Sequence, residues 1–322
     1  MIPRRTLLAT AAVTPFAARA QGAWAPTRPL RFVVPFVAGG STDVAARIIA
    51  DHMTQSLGQP VIVENRGGSG GNIGGDIVAK APPDGLTLLM GVTGLLSTNQ
   101  HIYPTMTFDP ARDFAPVSMA YTSDMVIVVT NRLPVRTLRE FVALAKERPG
   151  AMSFGSSGHG ASTHTAAELF KLQAGIDVVH VPYRGSGGAM NDLIAGNIEM
   201  MLVQIAATVG AIQGNQIRAL AVTGPQRHAL LPEIETVTEA GWPGATATSW
   251  GCVMVPAATP PAAIARLNQA VRTAIADPAV QQRLAGAGVD GLASAPEELA
   301  AFLVSEREKW GRVVQEARIR VE

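Results

Sequence analysis

Residues 30–57 read LRFVVPFVAGGSTDVAARIIADHMTQSL, and this stretch decides the fold. The apolar run at 30–35 predicts a buried strand, Gly39 and Gly40 predict a tight turn, and the segment from Ser41 onward predicts a helix. A strand that leads through glycines to a helix N-terminus forms an anion site. The first-turn amides have no intrahelical acceptor there, and the helix dipole is positive. Such a site binds a carboxylate or phosphate without lysine or arginine.

The same pattern recurs at residues 154–174, which read FGSSGHGASTHTAAELFKLQA. Glycines follow a strand end, and Ser162, Thr163 and Thr165 stand at the start of a helix. Ligands of open α/β sheets lie beyond the carboxyl ends of strands, so two such loops in separate lobes can face each other across a cleft. The alternative, two ordinary capped helices in βα loops, is left open by the sequence alone.

The rest of the chain alternates short apolar strands with helices. Thr137 and Glu140 form a capping box that begins a helix ending near residue 147, and Thr259 is predicted to cap another that ends at residue 276. The predicted strands beyond the first cover residues 61–63, 87–91, 125–130, 152–155, 178–181, 199–203, 218–222 and 253–255. This pattern predicts an α/β fold with mostly parallel sheets and helices on both faces.

The N-terminus predicts export. Arg4 and Arg5 precede an apolar run at residues 7–18, and Ala18-Arg19-Ala20 follows. A charged start, a short apolar segment and an A-x-A site are typical of a secretory signal peptide, here residues 1–20, and the arginine pair favours the twin-arginine route. The apolar run is too short for a membrane span. The mature protein is therefore predicted to be periplasmic.

Composition excludes other classes. The formal charge is +1, and it becomes −2 when residues 1–20, with three arginines and no acid, are removed. A nearly neutral chain without a basic cluster indicates no nucleic-acid partner. Cys252 is the one cysteine, so no internal disulfide is possible. About 300 mature residues, in a chain with 47% apolar residues, are enough for two cores.

The chain resembles the Bug family, the TctC-like substrate-binding proteins of tripartite tricarboxylate transporters. The resemblance rests on VVPFVAGGSTDVAAR, LGQPVIVENRGGSGGNIGGDIVAKAPPDGLTLL, FGSSGHGASTHTAAELF, VVHVPYRGSGGAMNDLIAGNIEMM, IRALAVT and EKW, in this order along nearly the whole mature chain. It implies a two-lobed, type II-like periplasmic binding protein that holds a small carboxylate with backbone amides, hydroxyls and water. It also implies that the protein is a monomer with no cofactor, no metal and no chemistry of its own, serving such a transporter or a sensor.

The resemblance also implies which residues contact the ligand. In the first lobe these are Phe36, Gly39, Gly40, Ser41, Thr42, Asp43, Thr93, Gly94 and Leu95. In the second lobe they are Ser156, Gly158, His159, Ser162, Tyr183, Arg184 and Gln204. Two departures from the family matter. Leu202-Val203 replaces a common Phe-Asp, which argues against an amino-acid ligand, and Leu95-Leu96 predicts an apolar end of the cleft.

The two-lobe interpretation predicts where the lobes divide. The first lobe is expected to comprise residues 25–123 and 250–322, and the second to comprise residues 124–249. The chain would then cross between them at 123–124 and 249–250, and these crossings would form a hinge. Trp242 and Trp250 flank the second crossing, where they would either line the cleft or pack in the hinge.

The sequence also contains two rival candidate sites. Residues 67–71 match the G-x-S-x-G pattern, with Ser69 as the nucleophile of a secreted serine hydrolase, but residues 64–66 separate this serine from the preceding strand and no good helix start follows it. His164 and Glu168 are four apart and share a helix face, but the sequence shows no third ligand for a metal.

We predict that the signal peptide is cleaved after Ala20 and that export depends on the arginine pair. N-terminal sequencing of protein from the periplasm should begin at Gln21. A variant with Arg4→Lys and Arg5→Lys should accumulate in the cytoplasm, because the twin-arginine route requires both arginines. Unchanged export of this variant would show that the general route suffices.

Overall fold

The computed structural model describes residues 24–183 and 185–320, so the predicted signal peptide lies outside the described residues. Strands and helices alternate as the sequence predicts. The strands are β1 Leu30–Val34, β2 Val61–Asn65, β3 Thr87–Val92, β4 Phe114–Thr130, β5 Ser153–Ser156, β6 Val179–Pro182, β7 Met200–Gln204, β8 Ile217–Val222, β9 Thr248–Pro256 and β10 Asp290–Gly291. The helices are α1 Ser41–Leu57, α2 Asn72–Ala79, α3 Asn99–Ile102, α4 Leu138–Glu147, α5 Ser162–Ala174, α6 Ser186–Ala195, α7 Val209–Gln213, α8 Pro261–Ala276, α9 Pro278–Gly286 and α10 Pro296–Glu316.

The sheet is mixed rather than mostly parallel. β2, β1 and β3 pair in parallel in the first lobe, and β6, β5 and β7 do so in the second. The central strands differ, because β4 is antiparallel to β7, β8, β9 and β10, and β9 is antiparallel to β3. Parallel strands need helical crossovers, whereas the two strands that carry the chain between the lobes run in opposite directions and pair directly. The α/β two-lobed fold is confirmed.

Strand β4 is long enough to belong to both lobes. Its first part pairs with β9, and its part from Met125 onward pairs with β7 and β8. The two predicted crossings are cross-strand neighbours, since Ser123 pairs with Ser249 and Asp124 pairs with Thr248. The division into lobes at these residues remains a prediction, and the paired strands are where a hinge would lie.

Helices cover both faces of each part of the sheet. Phe32 belongs to the apolar cluster that contains side chains of α1, α8 and α9, whereas the next residue, Val33, belongs to the cluster that contains side chains of α2 and α10. In the second lobe Ile127 shares a cluster with α4 and α5, and Val128 shares one with α6. This alternation follows from the two-residue period of a strand that is buried on both faces. None of the described helices is both long and apolar enough to cross a membrane.

Three local predictions have different outcomes. The capping box is confirmed, because Thr137 accepts a bond from the Glu140 amide and the Glu140 carboxylate accepts one from the Thr137 amide. The predicted cap at Thr259 is wrong: Pro260 is the N-cap of α8, and the buried Thr259 hydroxyl has no partner among the described residues. The glycine-rich sequence of residues 66–75 predicts a loop, but the loop is shorter, since α2 begins at Asn72.

Helix α10 connects the two cores. Leu299 and Leu303 pack in the first lobe, whereas Trp310 packs with second-lobe residues. The buried carboxylate of Glu306 accepts the indole N–H of Trp250 at 2.7 Å and that of Trp310 at 2.8 Å. Trp250 is thus a hinge-strand packing residue rather than a cleft residue.

We expect Glu306→Ala to lower the free energy of unfolding by about 2–4 kcal/mol, because it leaves two buried indole N–H groups without an acceptor. Glu306→Gln should cost only about 1 kcal/mol, since an amide oxygen remains to accept both bonds. The control is Glu308→Ala, an exposed position of the same helix, which should change stability by no more than about 0.5 kcal/mol. Urea unfolding measures all three, and equal losses for the Ala and Gln variants at 306 would contradict the proposed role of the oxygen.

Candidate functional site

A cavity of about 530 Å³ lies between the lobes, on one face of the paired strands β4 and β9. Tyr121 and Ser123 of β4 and Ser249 of β9 line it at this face. The alternate residues of β4, Thr122 and Asp124, face a second cavity of about 670 Å³ on the opposite side of the strands. None of the predicted ligand-contacting residues line this second cavity. The period of two along the strands therefore separates a front cleft from a rear groove.

The first-lobe wall is the N-terminus of α1. Strand β1 ends at Val34, and the chain turns through Gly39, whose φ of 92° favours glycine, to Gly40 at the N-cap. Gly40, Ser41 and Thr42 line the cavity, and no described side chain caps this helix. The free amides of the first turn therefore remain available to a ligand.

The second-lobe wall consists of two more helix N-termini. Ala161 is the N-cap of α5 and Gly185 is the N-cap of α6; both line the cavity, and neither helix has a side-chain cap among the residues described. Gly158 and Gly160, with φ of 133° and 72°, shape the loop before α5. The predicted arrangement, in which helix starts of the two lobes face one cleft, is therefore present.

No fixed charge lines the cavity in the part of the chain that is described. The lining residues include neither Asp, Glu, Lys nor Arg. Their polar groups are hydroxyls, amides and one imidazole, which belong to Ser41, Thr42, Thr93, Asn99, Tyr103, Tyr121, Ser123, Ser157, His159, Ser162, Gln204 and Ser249. The partial positive charges of three helix N-termini are thus the main local field, and they favour an anion.

Hydrogen bonds hold several of these groups in place. The Thr42 and Tyr121 hydroxyls are 2.9 Å apart, and burial raises the pKa of Tyr121 to about 12, so this phenol keeps its proton at neutral pH. Thr93 Oγ1 accepts the Trp250 amide at 3.2 Å. Asn99 donates to the Gly70 carbonyl and to the Asn72 side chain. The polar wall is therefore fixed before any ligand arrives.

Ten of the sixteen predicted residues line the cavity: Phe36, Gly40, Ser41, Thr42, Thr93, Gly94, Gly158, His159, Ser162 and Gln204. Gly39, Asp43, Leu95, Ser156 and Tyr183 do not, and Arg184 lies outside the described residues. For all sixteen residues, contact with a ligand remains a prediction.

Leu95, Tyr183 and Ser156 have other partners. A π-helical turn at Gly94–Thr98 directs Leu95 and Leu96 into the first-lobe core, where both are fully buried, so they do not form an apolar end of the cleft. The Tyr183 hydroxyl donates to Asp192 at 2.6 Å. Ser156 is buried and its hydroxyl lies 2.7 Å from His180 Nε2.

Asp43 shapes the first-lobe loop from behind. Its carboxylate accepts bonds from the Gly39 amide at 2.9 Å, from Asn65 and from Arg47, and Asn65 also donates to the Phe36 carbonyl. Burial alone would raise the pKa of Asp43. The hydrogen bonds from Arg47, Gly39 and Asn65, with the charge of Arg47, hold that pKa below its usual value. Asp43 is therefore a positioning residue for the loop.

Several residues that line the cavity were not predicted from the sequence. Tyr121 is the second residue before Ser123 on β4, so strand periodicity at the predicted hinge was a usable signal. Asn99 and Tyr103 are four apart and follow the turn after β3. Their spacing places them on one face of a helix, but no local sequence signal indicates that this face lies toward the cavity.

Three histidines meet beside the cavity, which the sequence did not reveal. His159, His164 and His180 have ring nitrogens within 4.8 Å of one another, and His164 Nε2 lies 3.9 Å from Glu168 as the shared helix face predicts. The His164 and His180 rings stack in parallel, with centroids 3.8 Å apart and an angle of 9°. Lone pairs lie in the ring planes, so these two run side by side rather than converging on one ion. The arrangement therefore does not suit a three-histidine metal centre.

Ser69 lacks the geometry of a nucleophile. β2 ends at Asn65, and Ser69 lies in an exposed 3₁₀ turn with φ of 49°. A nucleophile elbow needs the serine at the strand end with a histidine in reach, and no hydrogen bond joins Ser69 to a histidine within the described segments. The hydrolase alternative is not supported.

The two-lobed fold with a ligand cleft at helix N-termini defines a solute-binding protein. Residues 45–319 match the tripartite tricarboxylate transporter family receptor, and the chain belongs to this family. The predicted resemblance is thus confirmed. Solved structures of similar fold include one described as a periplasmic transporter and one described as the periplasmic binding protein BugD.

Individual relatives agree with this assignment. The chain is 42% identical to the UPF0065 protein in the tcbD-tcbE intergenic region of Pseudomonas sp. strain P51, over 99% of this chain and 96% of that protein. The solved structure of R. palustris Rpa4515 with adipate has a TM-score of 0.82 and 34% identity, covering 92% of this chain and 99% of its own. MatC from Rhodopseudomonas palustris with bound malate has a TM-score of 0.78 and 31% identity, covering 90% and 99%.

We expect Asp43→Asn to destabilise the protein by about 1–3 kcal/mol at pH 7, since it removes a buried, hydrogen-bonded charge. A depressed carboxyl pKa stabilises the fold above the unfolded pKa of about 3.9, and this stabilisation is lost as the pH falls through the folded value. The difference between variant and wild type should therefore shrink at pH 3. Urea unfolding at both pH values tests this.

The control for Asp43 is Asp51→Asn, at another position of α1. This substitution removes an exposed ion pair between Asp51 and Arg283 of α9. It should cost no more than about 0.5 kcal/mol. A loss at Asp43→Asn that is the same at pH 3 and pH 7 would exclude the ionised carboxylate as the stabilising species.

Proposed function

We propose that this protein captures a small organic carboxylate, a di- or tricarboxylate or an aromatic acid, in the cavity between its lobes. One observation carries the proposal: the N-termini of α1, α5 and α6 line a hydroxyl-rich cavity, and the described residues provide neither a charged lining side chain nor a side-chain cap for these helices. A carboxylate there accepts charge-assisted hydrogen bonds from amides, which are stronger than neutral ones.

The position of the helix starts favours a ligand with polar ends. Gly40 and Ser41 belong to the first lobe, and Ala161 and Ser162 belong to the second. An acid group at each wall would satisfy amides of both lobes at once, with hydroxyls and water completing the bonds. The adipate and malate in the structures of the two relatives are dicarboxylates, with an acid group at each end.

Several of the sequence predictions become part of this proposal. The ligand contacts would come from the ten cavity-lining residues predicted above, with Arg184 as a further candidate. Closure would take place about the paired strands at 123–124 and 249–250, so that each lobe moves as one body. The closed form would then be recognised by membrane subunits of a tripartite tricarboxylate transporter or by a sensor.

The remaining parts concern location and chemistry. We infer that the protein is exported, loses residues 1–20 and acts in the periplasm as a monomer without a cofactor. We also infer that it binds its ligand without converting it. Support for this comes from its family of receptors and from the geometry of Ser69.

We expect Gly40→Val to weaken carboxylate binding by about 2 kcal/mol, roughly thirtyfold, while the fold stays intact. An added Cβ at Gly40 meets nothing within 4 Å, so a side chain there occupies only ligand space. Ser162→Ala should cost about 1 kcal/mol, because water partly replaces the lost hydroxyl. Calorimetry with malate and adipate measures both.

The matched control is Gly210→Val, another exposed glycine with open space around its Cβ and no part in the cavity. It should bind as wild type does. A wild-type protein that binds sugars or amino acids but no organic acid, or a Gly40→Val variant with wild-type affinity, would refute the proposed site.

A further inference from the structure

We propose that His164 is a positioning residue that holds the second-lobe cavity loop, residues 156–162, by accepting a hydrogen bond available to only one neutral tautomer of its ring. This inference rests on the proposed function for its effect on ligand binding. Its effect on the loop itself does not depend on any ligand.

The bond in question joins His164 to the loop. His164 Nδ1 accepts the Gly160 amide at 3.1 Å, and the imidazole is buried. An acceptor nitrogen needs a free lone pair, so the ring proton must be on Nε2, which faces Glu168. The other neutral tautomer, and the doubly protonated ring, would both direct an N–H group at the Gly160 N–H group. Each would break the bond.

The surroundings keep the ring neutral. The pKa of His164 is lowered to about 2, mainly by burial, and proximity to His180, His159 and Lys171 contributes to the same shift. These groups face the ring from β6, from the loop and from its own helix, and Glu168 is the one acid facing it among the described residues. The imidazole is therefore uncharged at neutral pH, as the bond that Nδ1 accepts from Gly160 requires.

A stack of rings fixes the orientation of His164. Its ring lies on that of His180, which in turn lies 4.8 Å from Phe154, measured between centroids. His180 Nε2 is 2.7 Å from the Ser156 hydroxyl, so the two stacked histidines contact the loop at Ser156 and at Gly160. Because neither ring can rotate freely, the bond to Gly160 is preorganised.

Gly160 is where the loop touches the opposite lobe. A Cβ added at Gly160 would lie 2.2 Å from Cδ1 of Ile102, so the bare backbone packs directly against the first lobe. A Cβ added at Gly94 would lie 3.6 Å from the Gly160 carbonyl. The φ of Gly160 is 72°, a backbone angle that residues with a Cβ atom rarely adopt. His164 therefore holds a backbone conformation that suits glycine, at the contact between the lobes.

The test compares two substitutions. His164→Leu removes the acceptor, whereas His164→Asn keeps an oxygen the same number of bonds from the backbone as Nδ1. In hydrogen–deuterium exchange without ligand, the segment at 158–162 should exchange about tenfold faster in the Leu variant and within about threefold of wild type in the Asn variant. Affinity for malate or adipate, by calorimetry, should fall about tenfold in the Leu variant only.

The matched control is His228→Leu. His228 Nδ1 also accepts a backbone amide, that of Leu230, at 3.2 Å, but it lies outside the cavity. This variant should leave both the 158–162 segment and ligand affinity unchanged. Nitrogen-15 NMR of the wild-type ring should show the proton on Nε2 at pH 7, and it needs no variant to fold.

Three results would overturn the role of His164: a ring proton on Nδ1, a Leu variant that exchanges like wild type, or an Asn variant that is as impaired as the Leu variant. If wild type binds neither malate nor adipate, the proposed function fails for these acids, while the exchange and NMR results still decide the role of His164.

Discussion

The antiparallel pairing of β4 with β9 is the constraint on which the rest of the structure depends. β4 pairs with strands of both parts of the sheet, and its pairing with β9 at Ser123 and Ser249 forms a shared central ladder. Their front face supplies Tyr121 and the serines of the cavity, whereas the parallel strands on either side deliver helix N-termini to its walls. A cleft with donors on both sides therefore follows from one pair of strands with βα units flanking it.

Donors that belong to the backbone need support from residues behind them. Asp43 holds the first-lobe loop through the Gly39 amide, and His164 holds the second-lobe loop through the Gly160 amide. One acceptor is an ionised carboxylate and the other a neutral imidazole, yet each lies four residues after the glycine that it holds. The site thus has an inner layer of free amides and an outer layer that fixes the loops carrying them.

Much of the fold was predictable where local signals are strong. The start of α1 at Ser41 and the capping box of α4 are determined by residues that are close in sequence. The length of β4 was not, because Pro116 and two irregularities interrupt its pattern and its continuity depends on distant β9. In the site, the glycine loops followed from strand ends, but Tyr121 and Asn99 are brought in by tertiary packing. Leu95 does not line the cavity, because a π-helical turn rotates it into the core.

The absence of fixed charge from the described cavity wall has a kinetic consequence. Helix-end partial charges act within about one turn, so they attract an acid only when it has already reached the cleft. Long-range steering requires charged side chains, and it weakens as salt shortens the Debye length. The described part of the wall therefore adds little to the rate of encounter, and discrimination between acids there resides in how long each one stays. Arg184, the further contact that we propose, is the residue whose charge would add salt-dependent steering to such a site.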